Sequence, residues 1–131
     1  LAKALQLALA DREERATRLG SLRDQLWQRL EGLGGVHRNG AATPRLAHNL
    51  NVWIEGVEAS ALHRLLRQQL AVSSGSACSA GEPSHVLQAL GLSRQQAAAA
   101  IRFGLGRDTT LAEVDQAATA LSTAVSALRN R

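Results

Sequence analysis

A chain of 131 residues, 45% of them hydrophobic, is the size of one domain with a core of its own. Its net charge of +4 invites a nucleic-acid reading, but Arg12, Arg15, Arg18, Arg23 and Arg29 are interleaved with Asp11, Glu13, Glu14, Asp24 and Glu31, the pattern of a solvated, salt-bridged face. Trp27, Trp53 and Phe103 are too dispersed to stack bases, and no apolar run approaches the roughly 18 residues of a bilayer span, so neither nucleic acid nor membrane is expected as a partner.

In chain order, Leu1, Leu5, Leu9, Leu19, Leu22, Leu26 and Leu30 recur at helical spacing and predict one long amphipathic helix over residues 1–31, stopped by Gly32, Gly34 and Gly35. Val36-His37-Arg38 reads as a short strand ended by Asn39-Gly40, and Ala41 to Pro44 as a loop. A strand is expected from Leu46 to Ile54, with a turn at Glu55-Gly56, followed by a helix marked by Leu62, Leu65, Leu66 and Leu70. Ala71-Val72-Ser73 predicts a short strand entering a loop of small residues around Cys78. Pro83-Ser84 opens a helix through Leu90, with Gly91 as its C-terminal cap. Ser93 to Gln96 and Thr110 to Glu113 have the form of capping boxes. The first opens a short helix to Ala100. The second opens a last helix along Leu111, Val114, Ala118, Leu121, Val125 and Leu128, and between the two helices Ile101 to Leu105 is a strand. The sum is an α+β domain: a small, mostly antiparallel sheet covered by helices.

Cys78 is the only cysteine, so an internal disulfide and a cysteine-only metal cage are both excluded. A structural cysteine wants apolar packing. Cys78 has instead Ser73, Ser74, Gly75, Ser76, Ala77, Ser79, Ala80 and Gly81 around it, which leaves a reactive thiol or one of no consequence. A single unpaired thiol suits the cytoplasm. His37, His48, His63 and His85 show no metal-ligand spacing, and only His85 lies close enough in sequence to approach the thiol. The chain contains no methionine, so it is expected to be a piece of a longer protein or to have lost its start.

Val72-Ser73-Ser74-Gly75-Ser76-Ala77-Cys78, followed by Glu82-Pro83-Ser84-His85-Val86-Leu87-Gln88-Ala89-Leu90-Gly91, resembles the catalytic-cysteine segment of the cysteine desulfurases, pyridoxal-phosphate (PLP) enzymes of the NifS and IscS type. Asn49-Leu50-Asn51-Val52 is similar to that family's first small-domain strand. Ile101-Arg102-Phe103-Gly104-Leu105-Gly106-Arg107, with Thr109-Thr110, is similar to its closing strand and the start of its last helix. Order and spacing agree over nearly the whole chain, and the Ser-Gly-Ser-Ala-Cys lead-in favours the IscS-like branch.

The resemblance implies that residues 1–131 are the C-terminal small domain of a fold-type I PLP enzyme, residues 1–31 forming part of a long linking helix. It implies conversion of L-cysteine to L-alanine, with Cys78 as the nucleophile that keeps the sulfur as a persulfide for iron–sulfur cluster or thio-cofactor synthesis. That chemistry needs a thiolate, which Glu82, the nearest charged neighbour in sequence, opposes. Read from the residues alone, Arg102 is either a surface ion-pair residue or a carboxylate clamp; the resemblance implies that it binds the substrate carboxylate, for which its planar fork is suited. Arg107 is expected to be structural and Asn51 is given no role. The family's Schiff-base lysine and phosphate cradle have no counterpart here, since the only lysine, Lys3, lies in a helical run; PLP is therefore expected in a large domain outside this chain. L-cysteine, that large domain, sulfur-acceptor proteins and a second copy of the complete enzyme are the implied partners. The alternative is a freestanding sulfur-carrier or redox module that uses Cys78 without PLP, or a binding domain in which the cysteine is incidental.

Overall fold

The computed structural model describes residues 1–73 and 82–130. Cys78 lies outside them. The N-terminal third is two helices, not one: α1 (Ala2–Ala10) and α2 (Arg12–Glu31). Between them Asp11, at φ −117° and ψ 14°, leaves the helical region. Its carboxylate is drawn to Arg15 one turn on and to Arg107, 3.2 Å away and 96 residues on in the chain. Aspartate is a poor helix-interior residue and favours helix starts, so the break falls where tertiary ion pairing and local preference agree. The leucine spacing continues across the break, but its consequence does not. α2 buries Leu19, Leu22, Leu26 and Leu30, whereas α1 buries nothing and leaves Leu5 and Leu9 exposed.

Beyond α2 the chain reverses through Gly34 and Gly35, both at positive φ. Gly35 is also crowded: a Cβ there would stand 2.8 Å from the Arg129 guanidinium and 3.2 Å from the Glu55 side chain. Arg129 reaches back from the end of the chain to donate to the Gly34 carbonyl at 3.1 Å and the Glu55 carbonyl at 3.1 Å. Glycine permits this close approach, which ties the last helix to the first turn of the sheet.

Strands β1 (Val36–Arg38), β2 (Asn49–Ile54) and β3 (Ala100–Gly104) form one antiparallel sheet in the order β1-β2-β3. Along β2 the side chains alternate, with Leu50, Val52 and Ile54 buried and Asn49, Asn51 and Trp53 half-buried. Leu50, Val52, Ile54, Ile101 and Phe103 form one core with leucines of α2, with Leu62 and Leu66 of α3 (Ala59–Leu66), and with Val114, Leu121 and Val125 of α6 (Leu111–Arg129). Fully burying such side chains contributes roughly 1.5–3 kcal/mol each, so this layer carries most of the stability. The opposite face is covered only in part. There α4 (His85–Ala89) and α5 (Arg94–Ala98) bring Leu87 and Ala97 onto Ala100, with Trp53 and Leu92 packed alongside.

The fold is the expected α+β arrangement, with local differences besides the break at Asp11. α5 stops at Ala98, and Ala100, expected to end that helix, opens β3, which closes at Gly104. β2 starts at Asn49 instead of Leu46, because the Asn49 N–H turns back to the Leu46 carbonyl and that carbonyl also accepts from Arg23 at 3.0 Å. α3 ends at Leu66, and Leu70 packs against the core from outside the helix. Residues 71–73 contribute a single bridge at Ser73, paired antiparallel with Arg102, in place of a strand. Both expected capping boxes form, at Ser93/Gln96 and Thr110/Glu113, and Ser84 caps α4 by accepting from the Leu87 N–H.

Candidate active site

The part of the sheet that α4 and α5 leave uncovered carries Asn49, Asn51 and Arg102. Arg102 is paired with Asn51 across β2–β3 and points away from the core while its neighbours Ile101 and Phe103 point into it. In an antiparallel pair such partners stand side by side with Cβ atoms about 5 Å apart. Above them lies a cavity of about 350 Å³, walled by Asn39, Arg45, Asn49, Asn51 and Arg102 on one side and by Ser84, His85, Leu87 and Leu90 on the other.

Arg102 is exposed, and its Nη2 donates to the Ser73 hydroxyl at 3.2 Å. No carboxylate among the described residues pairs with it. Two backbone bonds fix the strand beside Ser73: the Arg102 N–H donates to the Ser73 carbonyl at 2.7 Å, and the Ser73 N–H to the Arg102 carbonyl at 3.2 Å. Ser84, at the cap of α4, lines the same cavity. Of the described residues near positions 74–81, Ser84 lines the cavity and Ser73 is bonded to Arg102 of its wall. Glu82, whose charge was expected to oppose a nearby thiolate, is engaged by Arg94 at 2.7 Å in an exposed pair.

Arg45 is the second cation of the wall. Its Nη1 and Nη2 donate to the carbonyls of Ala41 and Asn49, and its Nε is buried without a partner. Burial first, then the like charges of Arg38 and Arg23, lower its pKa, with Asp24 acting in the opposite sense. An arginine remains charged throughout. With Arg102, it makes the cavity a place where an anion gains and a cation loses.

The other sequence candidates separate clearly. His85 lines the cavity and is exposed. His37 lies elsewhere, stacked on Trp53 with ring centroids 4.2 Å apart and bonded to Glu55 at 2.7 Å. His63 has its Nε2 buried without a partner. No group of three or more metal-ligating side chains forms among the described residues. Arg107 is structural, pairing with Asp11, while its carbonyl accepts from Arg18. Sequence reasoning passed over Asn39, Arg45 and Asn51. The signal available for Asn51 was its place between Leu50 and Val52, which puts it on the face opposite the core.

PLP does not fit the residues described. It needs a lysine amine in a shielded pocket, and Lys3 is exposed on α1, its Nζ 3.5 Å from Gln6, away from the cavity walls.

The aminotransferase class-V family model matches residues 1–117. Among curated relatives, the IscS cysteine desulfurase of Ectopseudomonas mendocina (strain ymp) is 43% identical over 98% of this chain and 32% of its own length. That of Shewanella woodyi is 40% identical over 99% of this chain and 32% of its own. Among solved structures, a NifS-like protein superposes with a TM-score of 0.82 at 28% identity, covering 95% of this chain and 32% of that one. A NifS-like protein from Rickettsia africae ESF-5 superposes with a TM-score of 0.79 at 20% identity, a likeness of fold alone. The chain thus spans about a third of the length of the relatives it matches.

Proposed function

Since the chain belongs to the aminotransferase class-V family, we propose that it is the small domain of a PLP-dependent cysteine desulfurase, completing an active site whose cofactor is held outside residues 1–131. In this reading L-cysteine becomes L-alanine and its sulfur passes to Cys78 as a persulfide. The carbon–sulfur bond of the substrate breaks, a sulfur–sulfur bond forms at Cys78, and the carbon takes up the proton that the thiol gives up. No external oxidant or reductant is needed.

The observation that carries the proposal is Arg102. It is a guanidinium at the open face of the sheet, without a carboxylate partner among the described residues, bonded to the residue from which the cysteine-bearing segment departs. A bidentate fork there holds an amino-acid carboxylate, and the cavity above it has room for a small amino acid. Cys78 acts as a thiolate, the form able to accept sulfur. The persulfide is then passed to acceptor proteins for iron–sulfur cluster or thio-cofactor assembly, by a cytoplasmic enzyme working as a homodimer. A freestanding thiol module is the weaker reading, because the relatives of this chain are proteins about three times its length.

The test is to supply the complete protein with L-cysteine and quantify alanine. Equimolar alanine and sulfane sulfur, both dependent on added PLP, are expected; PLP-independent sulfur transfer would instead favour the freestanding module.

A further inference from the structure

Asn51 is the cross-strand partner of Arg102, and both line the cavity. Beside Asn51 in the same wall stands Asn39, the one buried polar residue among the described residues, 6% exposed. Asn39 donates from Nδ2 to Asn51 Oδ1 at 2.6 Å, and its backbone N–H donates to the Asn51 carbonyl at 2.9 Å. The oxygen end of the Asn51 amide is therefore engaged. The nitrogen end forms no hydrogen bond within the described residues and is not sealed from the cavity. Nearby, Arg45 directs its terminal nitrogens to the Ala41 and Asn49 carbonyls, so it supplies field more than contact.

From this juxtaposition we infer that Asn51 is a second substrate-carboxylate contact, its Nδ2 donating to one oxygen while Arg102 holds the carboxylate, and that Asn39 is the positioning residue that keeps the nitrogen end of Asn51 forward. The inference rests on the desulfurase reading above. It accounts for the bond from a buried asparagine to its neighbour in the cavity wall. An amide presents a donor or an acceptor depending on which end is turned out, and a carboxylate accepts only donors. The Asn39 bond selects the donor. A substrate lacking the carboxylate would leave Arg102 and Asn51 both unpaired, which is a strong basis for rejection.

The experiment is steady-state kinetics with L-cysteine on the complete, PLP-loaded protein, comparing wild type with Asn51→Ala, Asn39→Asp, the double variant and Arg102→Lys. Asn51→Ala should raise KM roughly ten- to a hundredfold, the worth of a hydrogen bond to a charged group, with kcat within about twofold. Asn39→Asp can only accept, so it should draw the Asn51 nitrogen back, turn the oxygen towards the substrate and raise KM at least as much. The double variant should be no worse than Asn51→Ala alone, because the positioning residue then has nothing to position. Asn51 is half-buried on the open face, so its alanine variant keeps the test decisive if the buried Asn39→Asp carboxylate prevents folding. An Arg102→Lys defect with Asn51→Ala at wild-type KM would overturn this inference alone. Strictly additive Asn39→Asp and Asn51→Ala effects would overturn the positioning role. If Arg102→Lys is also without effect, the desulfurase reading of the cavity falls as well.

Discussion

Ser73 and Arg102 exchange both of their backbone hydrogen bonds, and the Arg102 guanidinium donates a third to the Ser73 hydroxyl. The residue that precedes the cysteine-bearing segment is thus anchored to the residue proposed to hold the substrate. This isolated bridge ties Ser73 to Arg102 without a full strand around it.

Arg102→Lys in the complete protein tests the substrate end of that link. The charge is kept and the planar fork lost, so L-cysteine should be used less well while the fold is undisturbed, since the side chain is exposed. A charge-assisted bond of roughly 1.5–3 kcal/mol corresponds to a fall in kcat/KM of about one to two orders of magnitude. Kinetics together with a melting curve check this: kcat/KM should drop and Tm should hold.

Leu121→Ala tests the core. Leu121 is fully buried in the cluster that joins α6 to the sheet and to α2. Removing its branched end should cost roughly 2–5 kcal/mol, through lost transfer energy and the cavity left behind. Denaturant unfolding should show a much lower midpoint. The same substitution at exposed Leu5 should lie within about 0.5 kcal/mol of wild type.

His63 predicts an acid limb in the stability profile. Burial lowers its pKa in the folded chain, and its Nε2 has no partner. The unfolded chain then binds the proton more readily, so stability is full above the unfolded value of about 6.5 and is lost as pH falls from there through the lower folded value. Glu113 gives a separate, more acidic limb. Its pKa is lowered by the Thr110 backbone N–H and then by the Thr110 hydroxyl, so its contribution is present above the carboxylate range and lost below it. Melting temperatures measured from pH 8 to pH 4 should show His63→Gln flattening the upper part of the decline and leaving the lower part in place.

The elements that could be read from the sequence are those in which local chemistry and packing agree. Thr110 and Glu113 start α6 by a capping box, Leu121 and Val125 bury its inner face, and nothing distant is needed to foresee either. The break at Asp11 could not be foreseen, because one of its partners, Arg107, lies 96 residues away and the leucine spacing runs on without interruption. The site divides in the same way. Arg102 stands out as a charge between buried Ile101 and Phe103. The pairing of Asn39 with Asn51, however, depends on the β1–β2 connection bringing residues 12 apart together, which neither side chain announces. Cys78 was identified through resemblance, and its placement lies outside the described residues.

The most direct test of the account is the fate of the substrate's sulfur. The complete protein should be incubated with L-cysteine, alkylated, digested and analysed by mass spectrometry, alongside its Cys78→Ser variant. Serine keeps the size of the side chain but cannot become the soft anion that accepts sulfur. One additional sulfur atom on the peptide carrying Cys78, with no persulfide and no alanine formation in a serine variant that still binds PLP, is the predicted result. Alanine released at the wild-type rate by the serine variant, or a persulfide formed only at some other cysteine of the complete protein, would contradict it.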